Sequence, residues 1–135
     1  MRRLPTALIA SSIAGGLLLT ACGGGGEVAA PASTDPVVVA GYNTAVERNC
    51  TSCHSADGTS SSGPTWKGLA GRTVTLADGA TVPADDAYLR TAIVEPDAQI
   101  PEGYKKGIMS SYTKGQEPLT DQQVAELIAY IKTLK

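Results

Sequence analysis

Cys50-Thr51-Ser52-Cys53-His54 is the stretch on which the reading of this chain turns. Two thiols three residues apart on one turn of backbone point the same way, and the histidine that follows is the sole histidine of the sequence. Several chemistries use such a pair. A redox-active disulfide belongs in a βαβ context, and no long Val/Ile runs alternate with helical segments here. A structural zinc site wants four ligands, whereas Cys50, Cys53 and His54 are at most three. A plain structural disulfide leaves the position of His54 a coincidence. Covalent haem attachment uses all three groups: each thiol adds across one vinyl group, and the next imidazole projects at the iron.

Working outward, residues 38–49 predict a first helix, with Val39, Tyr42, Ala45 and Val46 at helical spacing. Residues 51–67 are rich in Ser and Gly and read as loop. Val74-Thr75-Leu76 and Ala80-Thr81-Val82 flank Ala77-Asp78-Gly79, a short β-hairpin signal with glycine where positive φ is needed. Residues 84–94 predict a second helix, capped by Asp85 or Asp86 and ended before Glu95-Pro96. Residues 100–118, punctuated by Pro and Gly, read as loop. Thr120 with Gln123 forms a capping box for the last helix, and Leu119 can staple against Val124. Val124, Leu127, Ile128, Ile131 and Leu134 then make one apolar face. The domain is mostly α. It has no Phe and one Trp, so a buried porphyrin would supply apolar surface that its own side chains lack.

Before this domain the sequence changes character. Residues 1–21 read as an export signal: basic Arg2 and Arg3, an apolar run, then Leu19-Thr20-Ala21-Cys22. The run is broken by Pro5, Ser11, Ser12, Gly15 and Gly16, which argues against a spanning helix. That ending resembles the lipobox of bacterial lipoproteins, which implies acylation of Cys22 and anchoring to a membrane through lipid, on its periplasmic or cell-surface side. Residues 22–36, with four consecutive glycines and two prolines, read as a flexible linker, leaving 37–135 as the folded domain. Without Arg2 and Arg3 the chain carries nine basic against thirteen acidic side chains. Nucleic acid is therefore not an expected partner.

The second face of the iron decides what a haem does. After Cys22 the chain holds one methionine, Met109, and no second histidine, so bis-histidine ligation is excluded. Met109 is the expected sixth ligand; Lys105, Lys106 and Lys114 are fallback ligands, and an open site is the remaining option.

From about residue 41 to 135 the chain resembles a class I monohaem cytochrome c, most of all the cytochrome c domain fused to subunit II of some haem–copper oxidases. The residues that carry this are Cys50 to His54, Gly63-Pro64-Thr65-Trp66-Lys67-Gly68-Leu69, Leu76-Ala77-Asp78-Gly79, Ala87-Tyr88-Leu89-Arg90 and Glu126-Leu127-Ile128-Ala129-Tyr130-Ile131-Lys132. The resemblance implies three to five helices around one haem, with His54 and Met109 as axial ligands. It implies that the Pro64 carbonyl accepts a hydrogen bond from the His54 ring and that Trp66 lies near the haem propionates. It further implies that the first and last helices cross, with Gly41 permitting close approach. Two departures stand out: Ser110 and Ser111 follow the methionine where the family usually has proline, and no copper-binding region is present.

The expectation is a tethered, monomeric electron carrier with no substrate chemistry of its own. Its redox partners would be a terminal oxidase, a quinol–cytochrome c oxidoreductase or a dehydrogenase. Lys67, Lys105, Lys106 and Lys114 could form a positive docking rim. The alternatives are a haem subunit of a larger oxidase or dehydrogenase complex, and a haem enzyme or sensor with an open sixth site.

Overall fold

The first helix, α1, spans Pro36–Glu47 and begins two residues before its apolar spacing suggests. The Asp35 side chain accepts the Val37 N–H at 2.9 Å, and Pro36 occupies the first turn, where its missing N–H costs nothing. Asp35 thus sets the start of the first helix. The structure, a computed structural model, describes residues 30–59 and 61–135, without the side chains of 111–113. The expected signal peptide, Cys22 and linker residues 23–29 lie outside the described residues.

The buried face of α1 is Val38, Gly41, Thr44 and Ala45. This corrects the expected one: Val39 is 36% exposed and Val46 is 48% exposed. The reason is Gly41. A Cβ there would lie 2.0 Å from the Glu126 carbonyl oxygen and 2.5 Å from its carbon, so backbone rather than bulky side chains sets the contact. The partner is α4, Asp121–Thr133, and the two helices cross as expected.

Helix α4 starts at the capping box. The Thr120 hydroxyl accepts the Gln123 N–H at 3.2 Å, and Gln123 Oε1 accepts the Thr120 N–H at 3.0 Å. Val124, Leu127, Ile128, Tyr130 and Ile131 are buried, while Leu119 and Leu134 pack at the margin. Tyr130 is fully buried, edge-on to Tyr42 at 5.6 Å and to Trp66 at 6.2 Å between ring centres. Such edge-to-face pairs add to the area they bury.

Strands β1, Thr73–Thr75, and β2, Thr81–Pro83, pair antiparallel with Val74 opposite Val82. The hairpin is one residue displaced from expectation. Its turn closes through the Leu76 N–H on the Ala80 carbonyl at 2.8 Å, with Gly79 at φ 85°. It does not stand alone: Ala77 N–H binds the Ile100 carbonyl at 2.8 Å, and Glu102 N–H binds that of Thr75 at 2.9 Å.

Helix α2, Asp86–Val94, is capped by Asp85, which accepts the Tyr88 N–H at 2.9 Å. It packs on α4 and is tied to it by the exposed pairs Arg90–Asp121 and Lys132–Asp86. Exposed pairs of this kind contribute about 0–1 kcal/mol each; buried Leu89, Leu127 and Ile131 hold the contact.

One element overturns expectation. Residues 100–118 are not all loop, for Ile108–Thr113 form a short helix, α3. Gly107, at φ 88°, turns the chain into it, and the Asp97 carboxylate, ten residues earlier, braces the turn. Six residues are too few for periodicity to register. No helix among the described residues is long and apolar enough to cross a membrane.

Candidate functional site

Between α2, α3, α4 and the turn that follows α1 lies a cavity of about 450 Å³. Most of its wall is apolar, from Leu69, Leu89, Ile93, Ile100, Leu127 and Ile131 among others. The volume falls in the range of roughly 300–1,000 Å³ common for small-molecule and cofactor sites.

The thiols reach it through local backbone. Arg48 ends α1, and Asn49, in the left-handed region at φ 52°, redirects the chain. Asparagine tolerates that conformation better than most residues. A 3-10 turn, Cys50–Ser52, follows, with the Cys53 and His54 N–H groups both on the Cys50 carbonyl at 3.2 and 3.1 Å. Cys50 and Cys53 are half-buried free thiols, and both line the cavity. Burial pushes the Cys50 thiol up, opposite to the lowered thiol of reactive C-x-x-C disulfide sites. No group of three or more His, Cys, Asp or Glu gathers among the described residues. Neither the disulfide nor the zinc reading gains support.

His54 is held from behind. Its Nδ1 lies 2.8 Å from the Pro64 carbonyl, and a carbonyl can only accept, so Nδ1 carries the hydrogen. The tautomer is thereby fixed, with the Nε2 lone pair left for a metal. Burial pushes the imidazole's pKa down, partly opposed by that carbonyl, so the ring is kept neutral. Trp66, 6% exposed, stacks on it at 5.1 Å between ring centres with planes 10° apart.

The loop that delivers Pro64 is stitched to the motif. Gly63 N–H binds the Cys53 carbonyl at 2.8 Å, and Trp66 N–H binds that of Ser55 at 2.8 Å. The buried Ser55 hydroxyl donates to the Thr59 carbonyl at 2.7 Å, and the Thr65 hydroxyl donates to the Ser55 carbonyl at 3.1 Å. Gly63 is a site residue that spacing alone did not reveal. A Cβ there would lie 2.6 Å from His54 Cε1 and 2.8 Å from Nδ1, so glycine is what lets the ring lie flat on the loop. The Gly-Pro pair was its only signal.

Met109 faces the same cavity from the first turn of α3 and is half-buried. All six expected site residues, Cys50, Cys53, His54, Pro64, Trp66 and Met109, are thus brought to one cavity. Of the fallback ligands and rim lysines, Lys105 lines it, whereas Lys67, Lys106 and Lys114 are exposed and away from its wall. Arg48 Nη1 donates to the Glu117 carbonyl at 2.9 Å across the rim, joining the end of α1 to the approach to α4.

These residues suit a haem. The wall is apolar, the imidazole is neutral and oriented, and one polar group awaits a partner. Gln99 Oε1 is buried at the cavity without a hydrogen bond among the described residues. Buried amides are seldom left so. Turned over about its last torsion, the side chain would present its NH₂ to an acidic group within.

No match was found among curated proteins. The cytochrome c family model matches residues 38–135, from the first turn of α1 to the last residue and so across every wall of the cavity; the chain belongs to the cytochrome c family, and Cys50, Cys53 and His54 are its motif for one covalent haem c.

Proposed function

We propose that this haem carries single electrons between respiratory partners, from a domain tethered to a membrane by lipid on Cys22. His54 and Met109 would hold the iron, Cys50 and Cys53 the porphyrin edge. The observation that carries the reading is that Met109 and His54, from separate elements, line one apolar cavity. A haem with two protein ligands supplies reversible one-electron chemistry, and a thioether ligand raises the potential. The chain's part is to keep the site unchanged between the two states. Pro64 holds the imidazole's proton at Nδ1, the packed wall excludes water, and Trp66 backs the ring and would lie near the propionates of a bound haem, as the resemblance implies. Members of this family are typically electron-transfer proteins rather than enzymes.

Carbon monoxide tests the ligand set. Reduced protein with Met109 in place resists carbon monoxide, and Met109→Ala binds it readily; ready binding by the wild type would favour the enzyme or sensor reading. Tethering is supported by the Leu19-Thr20-Ala21-Cys22 ending and the glycine-rich linker. A tether raises the local concentration of the domain at its partners. We infer a periplasmic or cell-surface location, with a terminal oxidase, quinol–cytochrome c oxidoreductase or dehydrogenase as partner. Electron-transfer rates in membranes bearing wild type or Cys22→Ala decide the tether's role; equal rates would remove it. Co-purification of a stoichiometric complex in mild detergent would instead assign the chain as a subunit.

A further inference from the structure

The turn that carries Met109 is held by a carboxylate from another part of the chain. Asp97 Oδ1 accepts the Gly107 N–H at 2.8 Å, and Oδ2 accepts the Ser110 hydroxyl at 2.8 Å. Those two groups stand two residues before Met109 and one after it. Asp97 is itself fixed just past α2, where the Ala98 N–H binds the Glu95 carbonyl at 2.9 Å. Apolar packing gives the turn little help, since Ile108 beside Met109 is 51% exposed. Ser110, the residue that replaces the proline expected from the resemblance, is one of the two groups bound. Both bonds hold the carboxyl below the usual carboxylate range, the Gly107 N–H contributing most.

We propose that Asp97 is a positioning residue for Met109, its two oxygens closing the turn on both sides of the thioether. The proposal rests on the reading of Met109 as sixth ligand. With the clamp gone, the turn opens more often, and an added ligand competes with Met109 in proportion to the open fraction.

The haem-loaded full chain is titrated in its ferric form with imidazole, following loss of the weak near-infrared band of methionine ligation, with thermal unfolding in parallel. Asp97→Ala should bind imidazole about tenfold more tightly or better, since hydrogen bonds to a charged acceptor are the stronger kind. Ser110→Ala, which removes one bond, should gain about threefold. Asp97→Asn should fall between wild type and Asp97→Ala, because its oxygen still accepts from Gly107 and its NH₂ can donate to the Ser110 oxygen, but without the charge. Wild-type affinity in Asp97→Ala, even with a lowered unfolding midpoint, would make the residue merely structural and overturn the proposal. Should that variant fail to load haem, unchanged affinity in Ser110→Ala overturns it equally. A wild type without the methionine band would sink the ligand reading itself, a failure distinct from that of the clamp.

Discussion

Adding one methyl group at Gly41 should drive the two crossing helices apart. The Cβ of Gly41→Ala would sit 2.0 Å from the Glu126 carbonyl oxygen, and ordinary contact begins near 3.4 Å, so α1 and α4 must part by about 1.4 Å there. Backbone cannot swing aside as a flexible side chain can. A gap of about 0.5–1 Å already forfeits a quarter to a half of each contact's attraction, and the contacts concerned are those of buried Val38, Ala45, Val124 and Leu127. Overpacking commonly costs about 1–3 kcal/mol, occasionally more, while alanine regains about 1 kcal/mol of helix propensity. With rigid backbone on both sides the cost lies at the upper end, and a net loss of about 2 kcal/mol is expected. At about 4–8 °C per kcal/mol for a domain of this size, the unfolding midpoint should fall by roughly 8–16 °C. The assay is thermal unfolding of the ferric protein, read by circular dichroism and the Soret band together. Gly79→Ala is the control: it has open space around it but positive φ, so it should lose about 1 kcal/mol. If Gly41→Ala melted within about 2 °C of wild type, the close helix crossing would be wrong.

At Gly63, an added Cβ 2.6 Å from His54 Cε1 must push the ring off the Pro64 carbonyl. Gly63→Ala should therefore lower the haem-to-protein ratio of exported material severalfold, and a normal ratio with an unchanged reduced spectrum would refute this. Burial, with Tyr42 nearby, pushes the Tyr130 hydroxyl from 10 up to about 12. A raised pKa means the fold favours the neutral phenol; its contribution is complete below pH 10 and is lost as pH rises through about 12. Urea midpoints across that window should fall more steeply for wild type than for Tyr130→Phe, and parallel slopes would contradict the assignment.

What the chain reveals before folding is what is encoded locally. The Cys50–His54 motif lies on one turn, so its geometry follows from spacing. The Thr120–Gln123 box, the Asp85 cap and the Gly79 turn are likewise short-range chemistry, and each appears where the residues placed it. The buried face of α1 departs from the apolar spacing because contact with Glu126 is made through the missing side chain of Gly41. Helix α3 is not legible in the sequence because what braces it, Asp97, lies ten residues before Gly107 and belongs to no local pattern. Gln99, whose buried oxygen faces the cavity, likewise carries no mark in the sequence. Pro64 and Trp66 were reached through family resemblance rather than spacing, and the fold sets both against the His54 ring.

Acid–acetone extraction of the exported protein, followed by a visible spectrum and an intact mass, tests the central claim most directly. The colour should remain with the polypeptide, and the mass should exceed that of the processed chain by one haem, with both Cys50 and Cys53 unreactive to thiol reagents. Colour that passes wholly into the acetone, or a mass equal to the chain without haem, would contradict it.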